Sequence, residues 1–338
     1  MDKLTHNWPH PENEILDAKD RQILYQLDLN ARQTNRSIAK KVRLSKEVVG
    51  YRIKRMIDAG IISGFYALID LWSLGYTPFR IYLKLRKLSY AREKKLHGFL
   101  KSNKSVWWFG RLEGSWNLAF HVAARDPHGL EKFWDEFMLE NRQVVKDKLI
   151  SVYTKLYHFP CTFLVADERQ NESERTMGAE KTADCDSLDV RILEILARDA
   201  RASLIEIAKK TGTSPALAGI RIKKMEERKI ILGYRPVIDL NKLGYEYYKI
   251  DFNLENTRYW KDFADFSRSH PNVSYIDKTV GGTDFEVDVY APSSIELQQF
   301  IDELRARFPN AITDYEYFRA ASEEKKMYLA PVIVDERG

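Results

Sequence analysis

The chain has 338 residues, 44% of them apolar, and 54 Lys/Arg against 49 Asp/Glu leave a net charge of +5. That length allows two or three domains, and the apolar content argues against disorder of the whole chain. No apolar run approaches the roughly 18 residues that a membrane helix needs, and the distant Cys161 and Cys185 argue against a disulfide framework or zinc site and fit a reducing cytoplasm.

Residues 1–15 read as a polar tail without the apolar stretch of a secretory signal. His6 and His10 have metal-like spacing there, but a tail of this kind is expected to hold no metal. A first helix follows, with Ile23, Leu24 and Leu27 on one stripe. A second has Thr34 or Asn35 as its N-cap and Ile38, Ala39 and Val42 inside. After the short turn Val42-Arg43-Leu44, a third helix starts at Ser45, places Val48, Val49, Ile53 and Met56 inward, and ends near Gly60. Two short β-type runs broken at Gly64 then predict a hairpin-like wing. Residues 16–70 are therefore expected to form a winged helix-turn-helix.

Residues 71–165 alternate differently. A strand (Phe79–Arg86), an amphipathic helix ("AREKKLHGFLKSN") and two strands around a Gly-containing turn (Val106–Val122) come first. A helix ("PHGLEKFWDEFML") and a closing strand ("SVYTKLYHF") complete β-α-β-β-α-β, the ferredoxin-like order. Such a sheet has one face covered by helices and one needing a partner. Trp107 and Trp108 alternate faces in a strand, so one of them is expected at a protein interface. Residues 166–187 are polar and acidic and read as a flexible linker of about 20 residues.

The whole order then repeats. Asp20–Tyr76 aligns without a gap on Asp189–Tyr245, with about 25 of roughly 57 positions identical, which marks an internal duplication. Residues 188–239 are expected to form a second winged helix-turn-helix and 240–335 a second ferredoxin-like domain, so the fold class is α+β in two tandem units. Ser203 and Glu206 make a capping box, Gly212 suits the tight corner, and Pro215 takes the first helical position after Ser214. Pro236 marks its strand as an edge.

The charge is concentrated. Residues 31–60 carry about nine Lys/Arg against two acids, and residues 200–229 about eight against three. The third helix presents Ser45, Lys46, Tyr51, Arg52, Lys54 and Arg55, and its counterpart Ser214, Arg221, Lys223 and Lys224. Arginine pairs bidentately with guanine edges in the major groove, and lysines hold phosphates. Double-stranded DNA is the partner this pattern predicts. The start of the helix touches base edges; Lys46 and Glu47 stand where the second copy has Pro215 and Ala216. The copies are therefore expected to read different sequences, or the second to hold mainly phosphates.

The run Asp20…Ile23-Leu24…Ile38-Ala39…Ser45…Arg52-Ile53…Gly60-Ile61-Ile62…Gly64…Ile69-Asp70…Leu74-Gly75-Tyr76 resembles the Lrp/AsnC (feast/famine) transcription regulators. The second copy repeats it, with Lys229 in place of Gly60. The resemblance implies homo-oligomers paired through the ferredoxin-like sheets and an amino-acid effector near the turn between the second and third strands. The matching positions are Gly281, Gly282, Thr283 and Asp284, and in the first copy Gly114 and Asn117. Asp284 would accept a ligand amino group, whereas Trp116 would fill the first pocket. The usual member has one unit, so fusion is a departure; the reading is a covalent pseudo-dimer without catalytic residues or cofactor. Two alternatives stand beside it. "GSWNLAFHV", with His121, is similar to the siroheme decarboxylases, which share this plan and hold a tetrapyrrole. An effector-independent architectural DNA-binding protein is the other.

Overall fold

The computed structural model describes residues 15–165 and 174–338; the polar tail and the first part of the expected linker lie outside them. The first head contains α1 (Ala18–Leu29), α2 (Asn35–Val42), α3 (Lys46–Asp58) and β1 (Ile62–Ile69). Then follow β2 (Thr77–Leu85), α4 (Tyr90–Ser102), β3 (Val106–Gly114), β4 (Leu118–Ala124), α5 (Pro127–Asn141) and β5 (Val145–His158). A short β6 (Arg175–Met177) precedes the second head: α6 (Ser187–Arg198), α7 (Leu204–Thr211), α8 (Pro215–Glu227) and β7 (Ile231–Ile238). Its continuation is β8 (Glu246–Leu254), α9 (Trp260–Ser269), β9 (Val273–Val280), β10 (Phe285–Ala291), α10 (Ser294–Arg307), β11 (Ile312–Lys326) and α11 (Pro331–Arg337).

The helix starts are local chemistry. Thr34, Ser45 and Ser214 accept the N–H three residues on, and Ser203 and Glu206 form the capping box. The α2–α3 corner is left-handed at Arg43 (φ 55°), the α7–α8 corner at Gly212 (φ 69°). Glycine tolerates that conformation; arginine enters it against a steric cost.

Three expectations are corrected. The wing is not a hairpin. β1 and β7 are each one strand, and they pair antiparallel with each other, Phe65 opposite Pro236 and Tyr66 opposite Arg235. In this two-stranded sheet Pro236 has a free outer edge, as its missing N–H requires. Backbone bonds cross symmetrically: the Ala31 N–H donates to Tyr234 O and the Ala200 N–H to Phe65 O, both at 2.9 Å. One hydrophobic cluster joins both heads, from Ile23, Leu24 and Val49 to Ile192, Leu193 and Ile222. The heads are thus one packed body.

The linker is not a free coil where it is described. β6 pairs with the end of β5, and the Gly178 and Ala179 N–H groups donate to Asp70 Oδ2 at 3.1 Å. The Ala183 N–H donates to Ser73 O at 2.8 Å.

The closing strands are longer than expected because each serves two sheets. Val145–Val152 of β5 pairs with β2 and Val152–His158 with β9. Ile312–Arg319 of β11 pairs with β8 and Phe318–Lys326 with β3. The ladder therefore runs β2-β4-β3-β11-β8-β10-β9-β5 and returns to β2. Closure removes the edges that an open sheet would expose. The sheet pairing expected between chains is satisfied inside one chain. Outward strand positions such as Ile81, Leu83 and Phe120 pack with Phe137 of α5 into one helix-covered core, and Ile250, Phe252 and Val287 with Phe300 of α10 into the other. Trp107 packs against the core shared by the heads, and Trp108 faces the space between the sheets, its Nε1 donating to Glu323 at 2.9 Å; the strand register is irregular between Val106 and Trp108.

Candidate nucleic-acid interface and the polar interior between the sheets

α3 and α8 lie at the surface of the heads. Lys46, Tyr51, Lys54 and Arg55 are exposed, as are Lys223 and Lys224. The Ser45 and Ser214 hydroxyls are committed to capping, accepting from Val48 N at 3.2 Å and Leu217 N at 3.1 Å. Lys54 pairs with Asp58 one turn on, at 2.9 Å. Val48 and Leu217, expected inside, are 39% and 37% exposed. They lie in the first turn of α3 and α8, whose N–H groups the Ser45 and Ser214 caps hold.

Arg52 and Arg221 have a task the sequence reading missed. Arg52 Nη1 donates to Asp17 Oδ2 at 2.7 Å and to Asp20 Oδ1 at 2.8 Å, and Asp20 is fully buried. Arg221 repeats this with Asp186 at 2.7 Å and Asp189 at 3.3 Å. Arg55 also reaches Asp20. Hydrogen bonds donated to Asp17 and Asp20 hold the Arg52 guanidinium above its usual range. Both arginines clamp the third helix to the capped start of the first helix, so their guanidinium groups are engaged within the chain. The signal was available: each Arg lies 32 residues after an Asp in both copies.

The turns expected to hold an effector are also built into the scaffold. Asp284 Oδ2 accepts the Leu254 N–H and Asn117 Oδ1 the Leu85 N–H, both at 2.8 Å. Gly114 (φ 135°) passes so close to β11 that a Cβ would lie 2.9 Å from Tyr317 O. Gly281 (φ 83°) and Gly282 wrap Glu286; a Cβ on Gly282 would lie 2.3 Å from Glu286 Oε1. The Thr283 N–H donates to the same oxygen at 3.3 Å. Trp116 is buried against Tyr82 and donates to Glu316 at 3.1 Å, so it does fill its site.

The inter-sheet space holds a buried ionic cluster. Arg80 makes a two-pronged pair with Glu286 at 2.5 and 2.6 Å. Lys249 bridges Asp277 at 2.6 Å and Asp288 at 2.9 Å. Neither Asp251 oxygen has a hydrogen-bond partner among the described residues. Burial, then the charge of Glu286, pushes Asp251 up to about 8. Burial raises Asp277 to about 6 against the pull of Lys249. Burial also pushes Glu286 up, but Arg80 and Lys249 outweigh it and hold it at about 2. Burial, Arg80 and Lys249 drive His121 well below its usual value. Acids outnumber bases here, which favours the protonated form of Asp251, the carboxyl without an ion-pair partner. The alternation Arg80-x-Tyr82, Lys249-x-Asp251 and Glu286-x-Asp288 marks this face in the sequence. A cavity of about 170 Å³ adjoins the cluster, lined by Arg80, Tyr82, His121, Tyr153, Lys249 and Asp277 among others. Among the described residues no three His, Cys, Asp or Glu side chains are placed to hold a metal ion, and no helix is long and apolar enough to cross a membrane.

Two capped helix-turn-helix heads with exposed basic third helices define a DNA-binding protein. Residues 16–63 match the family model described as winged helix-turn-helix DNA-binding, and residues 186–226 the AsnC-type helix-turn-helix domain. The proline dehydrogenase transcriptional activator of Rhizobium radiobacter is 35% identical over 134 residues, covering 38% of this chain and 85% of that protein. The regulator LrpB of Bacillus subtilis is 28% identical over 151 residues, covering 45% of this chain and 98% of that protein. The chain belongs to the Lrp/AsnC family and is a DNA-binding transcription regulator. The crystal structure of the siroheme decarboxylase NirDL shares the fold over 95% of this chain and 98% of its own, with a TM-score of 0.63 and 14% identity.

Proposed function

We propose that this chain is a two-headed regulator, two fused Lrp/AsnC-type units forming a pseudo-dimer within one polypeptide. The units are the winged helix-turn-helices 16–70 and 188–239, the ferredoxin-like domains 71–165 and 240–335, and the connection 166–187. The observation that carries this is the β1–β7 pairing over a shared core. It holds α3 and α8 in one rigid body, ready to address two major-groove segments of one duplex. Because their outer residues differ, the operator is not a true palindrome. Lys46, Tyr51, Lys54 and Arg55 contact the first half-site, Lys223 and Lys224 the phosphates of the second.

Fluorescence anisotropy with duplexes selected by the full chain from a random-sequence pool tests this. Tyr51→Ala is expected to cost about 1–3 kcal/mol of affinity, and Lys46→Ala to weaken binding uniformly and reduce the salt slope by about one. Salt-insensitive binding would overturn the reading.

A small metabolite acts, on this reading, in the inter-sheet cavity. Its volume of about 170 Å³ is close to the ~150 Å³ that accommodates a benzene-sized ligand. Thermal-shift titration with single amino acids tests this part; flat curves for all of them remove it.

The siroheme decarboxylase likeness supports a second reading, since one structure of that enzyme carries an iron-uroporphyrin III analogue. The cavity does not fit such a group. It lies below the roughly 300–1,000 Å³ of pockets for drug-sized ligands, and its lining cations Arg80 and Lys249 are already paired with Glu286. A regulator without catalytic function is the reading the geometry favours. Addition of an iron tetrapyrrole is expected to leave its absorption near about 400 nm unchanged by the protein.

A further inference from the structure

The two heads share a scaffold and differ on the face that would meet DNA. In both, the second helix crosses the third at a glycine. A Cβ on Gly50 would lie 3.1 Å from Asn35 Nδ2, and one on Gly219 3.3 Å from Leu204 Cδ1. Asn35 and Leu204 therefore occupy the same place beside the outward side of α3 and α8. Around that point the first head carries Asn35, Arg36, Glu47 and Tyr51, all with hydrogen-bonding side chains. The second carries Leu204, Ile205, Ala216 and Ile220 at the matching positions.

These apolar side chains are not core residues. Leu204, Ile205, Leu217 and Ile220 are 37%, 72%, 37% and 53% exposed. Ala216 and Ile220 are four residues apart on α8, on the side away from the buried Ala218, Ile222 and Met225. Exposed apolar side chains gathered on two helices that cross at Gly219 mark a contact surface. Its flanks select the partner: Lys209, Lys210, Lys223 and Lys224 are all exposed around it. That ring attracts a polyanion and repels a second copy of itself.

Leucine, isoleucine and alanine offer no donor or acceptor to a base edge. Pressed against one, they would leave its polar groups desolvated and unpaired. The thymine C5-methyl is the apolar group that the major groove presents. We propose that the second head reads thymine methyl groups through Ile205, Ala216 and Ile220, the positions where the first head has Arg36, Glu47 and Tyr51, with its lysines on the flanking phosphates. This rests on the regulator reading and gives the operator a chemical asymmetry: one half-site is read by hydrogen bonds, the other by methyl contacts.

Deoxyuridine tests it, because it keeps every hydrogen-bonding group of thymidine and loses the methyl. The full chain is titrated against a duplex it selected from a random pool, with deoxyuridine placed in one half-site at a time. Substitution beneath α8 is expected to weaken binding about fourfold per methyl lost, and substitution beneath α3 by less than about twofold. Ile205→Asn with Ile220→Asn is expected to abolish the penalty while the unfolding midpoint stays unchanged, since both side chains are exposed. Unchanged affinity with deoxyuridine beneath α8, or an equal loss in both half-sites, overturns the proposal while leaving DNA binding intact. So does a double variant that alters the sedimenting mass but not DNA affinity, which would make the patch a protein interface. A chain that binds no duplex overturns the regulator reading itself, and the methyl reading with it.

Discussion

Arg52→Ala separates a clamp from a base contact. In the folded chain the guanidinium holds Asp17, which is half exposed, and Asp20, whose side chain is 0% exposed. The Asp17 bond is screened by water and contributes at most about 1 kcal/mol. The Asp20 bond is different, because its carboxylate stays buried when the arginine is removed. Complete loss of a buried partner costs about 3–5 kcal/mol, but Arg55 also reaches Asp20 and retains part of that. The expected destabilisation is about 2 kcal/mol, read as a shift in the urea midpoint at unchanged slope. Tyr51→Ala, on the exposed face of the same helix, is expected to leave that midpoint within about 0.5 kcal/mol and to weaken DNA binding. The refuting result is the reverse: Arg52→Ala with native stability and lost operator affinity. Arg221→Ala is expected to cost less, because its bond to Asp189 is longer, 3.3 Å, and Asp189 is not fully buried.

Arg80→Met leaves the Glu286 carboxylate buried without its two-pronged partner, and a loss of about 3–5 kcal/mol is expected in chemical denaturation. Adding Glu286→Gln is expected to restore part of it, because the uncompensated charge goes. Asp251 supplies a pH prediction. Its folded pKa of about 8 lies above its ordinary 3.8, so the folded chain binds that proton more tightly. The stability this contributes is full below about pH 4 and is lost as the pH rises to about 8, by at most about 1.4 kcal/mol per unit. Asp277 acts in the same direction up to about pH 6. Asp251→Asn is expected to flatten the alkaline part of a melting-temperature profile; an unchanged profile would show that Asp251 does not titrate there.

What the sequence determined by itself was local or periodic. Caps at Thr34, Ser45, Ser203 and Ser214 follow from one side chain reaching one N–H three residues on. The repeated order of helices and strands follows from apolar spacing, and the basic third helices from composition. The tertiary structure decided every choice between partners. The run around Gly64 reads as a hairpin of two short strands; it is one strand, β1, because β7 of the other head pairs along its length. The length of β5 and β11 depended on a second sheet for each to enter. Arg52 and Asp284 carry groups that suit a ligand, yet each finds a closer partner inside the chain: Asp20 for the one, the Leu254 N–H for the other. A side chain's chemistry is written in its residue type. Whether that chemistry faces outward depends on which neighbour, distant in sequence, reaches it first.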